Sequence, residues 1–175
     1  EISVFNWGSF HNLHTARIDP EGTLITGDNG AGKSTFIDGL MALLQPASKA
    51  SFNVAAAQGD RSDRSLVTYM RGSYGSEHDG SSTKVKSKRE KAVTTALRAL
   101  YIAEDGSQIT LIGLFWLGQG KNSLSDVNRL YMIASRNVLL TEVLEIFADG
   151  NTRQLKQHFN PKTDQRIHYF ESDFK

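Results

Sequence analysis

Apolar and polar residues along this chain recur with two periods, and the changes of period mark its elements. Residues 3–7 and 13–18 show the alternation of short strands, joined by Gly8-Ser9-Phe10-His11-Asn12. A turn at Pro20-Glu21-Gly22 leads into a third apolar run, Thr23-Leu24-Ile25, which predicts another strand. The period then becomes helical: Phe36, Ile37, Leu40, Leu43 and Leu44 recur every three or four residues until Pro46 ends the run. Residues 45–62 hold scattered apolar positions among Pro, Ser, Asn, Gly and Asp and read as a long loop, with a short helix over 65–70.

Residues 72–91 are the most polar stretch, with three glycines, a Ser-Ser pair and no hydrophobic period, and read as a mobile surface insertion. Order returns at residues 93–103 and 108–117, two apolar runs flanking Glu104-Asp105-Gly106-Ser107; Asp-Gly between such runs predicts a hairpin. Residues 129–134 extend this antiparallel sheet beyond a loop at 118–126. Residues 138–147 suit a helix or a strand–helix join, ended by Asp149-Gly150-Asn151, and Thr152 is placed to cap a short helix through His158. Residues 166–170 read as a strand, and Ser172-Asp173 as the N-cap of a further helix. The expected fold class is α/β with a mixed and antiparallel sheet, and there is no internal repeat.

Composition narrows this picture rather than changing it. A chain of 175 residues with 39% apolar content is sized for one domain with a real core. A formal charge of +1 favours neither nucleic acid nor an anionic membrane, so any such contact must come from a local patch. The chain has no cysteine, which excludes disulfides and thiolate-bound metals, and its five histidines show no paired metal-ligand spacing. No apolar run approaches the roughly 20 residues of a membrane span, and the opening Glu1-Ile2-Ser3-Val4 has no signal-peptide shape. The chain lacks an initiating methionine, so both ends are expected to be cuts in a longer protein.

The chemistry is concentrated in one stretch. GDNGAGKST at residues 27–35 fits GxxxxGK[ST] at every fixed position and lies between the expected third strand and the helical run. Such glycines let successive backbone N–H groups curl around phosphate oxygens, Lys33 reaches the β- and γ-phosphates, and the Ser34 hydroxyl can ligate Mg²⁺. The helix that starts near Lys33 aims about half a positive charge at the same phosphates. The expected nucleotide-binding residues are Gly27, Asn29, Gly30, Ala31, Gly32, Lys33, Ser34 and Thr35, with ATP and Mg²⁺ as cofactors. A GTPase would add an Asn-Lys-x-Asp base reader, and Asn160-Pro161-Lys162-Thr163-Asp164 has the wrong spacing. Nucleoside kinases and AAA-type ATPases need a parallel apolar strand ending in Asp. Of the two candidates, residues 97–105 form a hairpin arm at Gly106, and residues 139–149 carry Glu142 and Glu145, which suit a helix.

Two antiparallel strands, a phosphate loop, a helix and then an antiparallel sheet resemble the opening half of an ABC-type nucleotide-binding domain. FNWGSFHNLHTARID followed by LITGDNGAGKSTFIDGLMALL resembles the N-terminal half of the ATPase head of structural-maintenance-of-chromosomes (SMC) proteins, in particular the MukB-like branch. Within it, the chain is most similar to the JetC family, the motor subunits of bacterial Wadjet anti-plasmid systems. The resemblance covers nearly the whole chain, with most weight on residues 7–44 and 61–75. It implies a split head: this lobe carries the phosphate loop, a coiled coil departs after residue 172, and a C-terminal half returns with the signature motif, Walker B and switch histidine. The lack of a Leu-Ser-Gly-Gly signature and of a convincing Walker B pair after Lys33 agrees with that division.

The resemblance also implies an ATP hydrolase that works only with its C-terminal half and a second identical head, ATP being sandwiched between heads. It implies kleisin and KITE subunits, a Toprim-type nuclease, double-stranded DNA on the engaged heads, no membrane, a bacterial cytoplasmic setting, and DNA loop extrusion in plasmid defence. A chromosome-organising condensin of the MukB or MksB type, a DNA-repair ATPase with a similar split head, and a self-contained P-loop phosphotransferase are the alternatives.

Several residues take expected roles from that family. Arg61, or failing it Arg64, stands where related heads send an arginine to nucleotide phosphate, unless it pairs with Asp60 or Asp63 at the surface. Asn12, with His11, Trp7 and Phe10 nearby, stands where related heads contact adenine and ribose, although Trp7 and Phe10 equally suit core packing. Gln119 is the candidate for the glutamine that binds Mg²⁺ and the attacking water, and suits a plain turn equally well. Lys84, Lys86, Lys88, Arg89 and Lys91 form a basic cluster that either meets DNA phosphates or keeps a loop solvated.

Overall fold

The computed structural model describes residues 1–45, 52, 65–79 and 82–171. Its centre is a six-stranded sheet in the order β2-β1-β5-β6-β7-β8, in which every neighbouring pair is antiparallel. The strands are β1 (Ile2–Phe5), β2 (Leu13–Ala16), β5 (Val93–Ile102), β6 (Gln108–Leu117), β7 (Asn128–Ala134) and β8 (Ile167–Phe170). The Asp-Gly turn joins β5 and β6 in register from Val93↔Leu117 to Ile102↔Gln108. Apart from it lies a two-stranded hairpin, β3 (Ser73–Asp79) and β4 (Ser82–Ser87).

Two-residue periodicity divides the sheet into two buried faces. Val93, Leu97, Ala99, Phe115, Leu117 and Tyr131 face α1 (Lys33–Leu44) and α2 (Leu66–Arg71). Ala96, Ile112, Leu114, Leu130, Met132 and Ala134 face α3 (Leu140–Ile146) and α4 (Thr152–His158). The result is a helix–sheet–helix sandwich whose central strands are covered on both sides. Arg98 is buried on the second face, where its guanidinium meets the Glu1 carboxylate at 2.6 Å, the Val138 carbonyl at 2.7 Å and the Asn137 side-chain oxygen at 2.7 Å.

Helix α1 buries Phe36, Asp38, Gly39, Ala42 and Leu43 on one face, and Ile37 and Leu44 stand 43% and 46% exposed on the other. It ends at Gln45, whose extended backbone (φ −115, ψ 147) is the conformation imposed on a residue before proline. Helix α2 begins at a reciprocal capping box: Ser65 and Thr68 each accept, through the side chain, the other's backbone N–H.

Three expectations change. Residues 23–25 are not a strand; among the described residues they join neither sheet, with Leu24 87% exposed, although Thr23 and Ile25 share a cavity wall with His14, Thr15 and Ala16 of the edge strand β2. Most of residues 72–91 form the β3–β4 hairpin rather than an unstructured insertion, held by a backbone ladder that needs no apolar alternation. The cap of α4 is Asn151 rather than Thr152, its side-chain oxygen accepting the Gln154 N–H at 3.0 Å. Ser172 and Asp173 lie outside the described residues.

Candidate nucleotide site

Residues 27–32 carry the chain from the unpaired run into α1. Gly27, Gly30 and Gly32 hold φ of 149°, 85° and 95°, a region that side chains with a Cβ rarely enter. The Ala31 N–H closes a turn onto the Asp28 carbonyl at 3.1 Å. Gly32 is the N-cap and offers no side chain, so the first-turn amides of α1 have no local side-chain acceptor and stay available as donors. The Lys33 ammonium lies back across the loop, donating to the Gly27 carbonyl at 2.5 Å and the Asp28 carbonyl at 2.8 Å. Both acceptors are neutral, so an incoming phosphate meets an ammonium with its charge unspent.

The floor under the loop is aromatic. A Cβ on Gly32 would stand 3.0 Å from the Phe10 ring and 3.1 Å from the Ser9 hydroxyl, so this position needs glycine for space as well as for conformation. Trp7 is fully buried, stacks on Tyr69 with ring centroids 4.5 Å apart, and donates its indole N–H to the Thr35 carbonyl at 2.7 Å. The Tyr69 hydroxyl in turn donates to the buried Asp38 carboxylate of α1. Trp7 is therefore core and an anchor for the phosphate-loop helix.

An open cavity of about 300 Å³ adjoins the loop, at the small end of ligand-sized pockets. Its wall includes Phe10, His14, Arg17, Ile25, Lys33 and Phe36. Sequence reasoning did not single out His14, Arg17 or Phe36 here; the only available signal was that β2 precedes the loop closely enough to lie beside it. Asn12 is exposed and is not among the residues of that wall; it takes a left-handed φ of 61°, its carbonyl accepts the Asn6 N–H at 3.2 Å, and its own N–H donates to the Asn6 side-chain oxygen at 3.0 Å. Gln119 sits exposed in the turn after β6 and is likewise absent from the wall. Arg61 and Arg64 lie outside the described residues.

The basic cluster divides. Lys84 is on β4, Lys86 follows it on the same strand, and Lys88 and Lys91 are exposed, the Lys88 ammonium reaching the Ser9 carbonyl at 3.3 Å. Arg89 does not share that exposure: its half-buried guanidinium donates to the Met70, Gly8 and Tyr69 carbonyls at 2.7, 2.9 and 3.0 Å. Arg71 is buried and donates to the carbonyls of Arg89, Lys91, Gly118 and Lys121 and to the Asn122 side chain. Burial pushes both guanidinium pKa values down, yet a group that starts so high stays charged. These two cations hold chain segments together rather than facing an external anion.

A family model described as the P-loop containing region of AAA domain matches residues 1–59, which hold β1, β2, the loop and α1. No curated protein matches the chain. The match and the α/β architecture fit a P-loop NTPase, and with it nucleotide binding at residues 27–35, for which Mg²⁺ is the usual companion. The residues present fit that pair: donors from an uncapped helix start, the Lys33 ammonium, and the Ser34 hydroxyl one residue on. Among the described residues, no helix is long and apolar enough to cross a membrane.

Proposed function

We propose that this chain is the ATP-binding half of an SMC-like motor head, whose engagement with a second head on ATP and release on hydrolysis move DNA. The observation that carries the half-head reading is the run entering the phosphate loop. Leu24 is 87% exposed and Ile25 37%, and the outer face of α1 adds Ile37 and Leu44. A loop that must hold phosphates rigidly is poorly served by an entry segment that joins no sheet, and a sheet contributed by the second half would cover these residues together. The antiparallel sheet that follows α1 supports the ABC-type arrangement over an alternating parallel one.

In this reading the loop amides and Lys33 hold the β- and γ-phosphates, Ser34 ligates Mg²⁺, and the group that activates water comes from the second half. DNA loop extrusion, action against plasmids, and the kleisin, KITE and nuclease partners extend the reading by resemblance. Lys84, Lys86, Lys88 and Lys91 remain candidates for sequence-blind DNA contact, with Arg89 removed from that set.

The test is ATP binding and steady-state hydrolysis by the chain alone and with a C-terminal head half added, with Lys33→Ala as the control. Turnover by the chain alone, lost in the variant, would sink the half-head reading and favour a self-contained phosphotransferase. Turnover that appears only on addition of the second half supports a composite site.

A further inference from the structure

The turn after β1 is gripped from two sides. On one side it bears on the phosphate loop: Phe10 and Ser9 abut Gly32, a Cβ on Gly8 would fall 2.4 Å from the Thr35 methyl, and the Trp7 indole holds the Thr35 carbonyl. On the other side stands Arg89. Its Nη2 donates to the Gly8 carbonyl at 2.9 Å and the Tyr69 carbonyl at 3.0 Å, its Nε to the Met70 carbonyl at 2.7 Å, and its Nη1 to the Phe10 carbonyl at 3.4 Å. Tyr69 and Met70 belong to the last turn of α2, where a cation meets the negative end of the helix; Gly8 and Phe10 belong to the turn that touches the loop. A planar fork can serve both sets at once, which a lysine cannot.

The backbone places this fork with little freedom. Arg89 donates its N–H to the Arg71 carbonyl at 3.0 Å, and Lys88 its N–H to the Gly72 carbonyl at 3.3 Å, at the foot of the β3–β4 hairpin. The Lys88 ammonium adds a bond to Ser9, the remaining carbonyl between Gly8 and Phe10.

We propose that Arg89 is a positioning residue for the phosphate loop: it clasps the turn at residues 8–10 to the end of α2 and so fixes the wall on which Gly32 and Thr35 rest. The inference rests on the nucleotide-binding reading of residues 27–35. Arg89 touches no phosphate in it; the effect on ATP runs through Phe10 and Gly8.

The experiment measures ATP affinity by calorimetry with Mg²⁺, and the thermal midpoint without nucleotide, for the chain and for Arg89→Met, Phe10→Ala and the double variant. Arg89→Met is expected to bind ATP about tenfold more weakly. The double variant is expected to bind no more weakly than the weaker single, because both changes act through one turn. Arg136→Ala, which breaks the ion pair with Asp164 near β8, is the control for mere destabilisation and is expected to lower the midpoint with unchanged affinity. If Arg89→Met does not fold, Arg89→Lys carries the test: it keeps the charge but loses the fork, and is expected to bind about threefold more weakly at an unchanged midpoint. Wild-type affinity in the foldable Arg89 variant, or additive losses in the double variant, overturns the inference while leaving nucleotide binding intact. A wild-type chain that binds no ATP overturns the nucleotide reading and this inference with it.

Discussion

The indole N–H of Trp7 donates to the backbone carbonyl of Thr35 at 2.7 Å, tying the end of the first strand to the first turn of the phosphate-loop helix. The bond depends on Gly39, where a Cβ would stand 3.1 Å from the indole nitrogen and 3.2 Å from a Val4 methyl. Gly39→Ala is therefore a conflict between helix propensity, which favours alanine by about 1 kcal/mol, and a ring that has no room to retreat. Trp7 is stacked on Tyr69 and fully buried, so packing wins. The expected result is a net loss of about 1 kcal/mol in urea unfolding. Trp7→Phe, which removes the donor and shrinks the ring, should cost about 2 kcal/mol; an unchanged midpoint in either variant would show that the contact is dispensable.

Lys33 separates binding from folding. Among the described residues, its ammonium bonds the Gly27 and Asp28 carbonyls of its own loop and belongs to neither core. Lys33→Ala should move unfolding by less than about 0.5 kcal/mol and abolish ATP binding in calorimetry. Retained affinity in that variant would remove the phosphate loop from the site.

Acid stability should report on a different corner of the molecule. Asp164 accepts hydrogen bonds from Arg166 first and Arg136 second, and these hold its carboxyl at about 2, below the ordinary value of about 3.9. A depressed folded pKa contributes stability that is complete above the unfolded pKa and is lost as pH falls through the folded one. Unfolding midpoints should thus drop between about pH 4 and pH 2 more steeply in the wild type than in Asp164→Asn. Parallel curves for the two proteins would mean that the Arg166 and Arg136 contacts do not persist in solution.

The parts of this molecule that were legible in its sequence are those set by short-range chemistry. Asp105-Gly106 between two β-rich runs specifies the β5–β6 hairpin, and its two-residue alternation sorts Leu97 and Ala96 to opposite faces. The phosphate loop is legible because conformation and ligand chemistry demand the same few residue types. The β3–β4 hairpin was not, since Ser73, Gly75, Ser76 and Glu77 join it through a backbone ladder, with a Ser73–Ser87 hydroxyl bond at 3.1 Å, and their sequence carries no apolar alternation for a periodicity argument. Leu24 shows the reverse failure: its run has strand propensity, but among the described residues it joins neither sheet and Leu24 stands 87% exposed. Arg89 read as a cation available to DNA because a sequence lists charges without their acceptors; the carbonyls of Gly8, Tyr69 and Met70 are contributed by segments up to 81 residues away.

The exposed run at Leu24 offers the sharpest test of incompleteness. A side chain 87% exposed contributes little to the stability of the chain that carries it, so Leu24→Asp should leave the unfolding free energy of the isolated chain within about 0.5 kcal/mol of wild type. If a second head half covers this surface, the same substitution buries a carboxylate in an apolar contact, where it costs several kcal/mol. The expected outcome is an unchanged chain that no longer associates with the added half in sedimentation, with the ATP turnover of the mixture lost in parallel. Normal association by Leu24→Asp would place the missing sheet elsewhere and leave the exposed run unexplained by a half-head. Loss of stability in the isolated chain would instead mean that Leu24 already packs against this chain in solution, and the entry strand would belong to a complete fold.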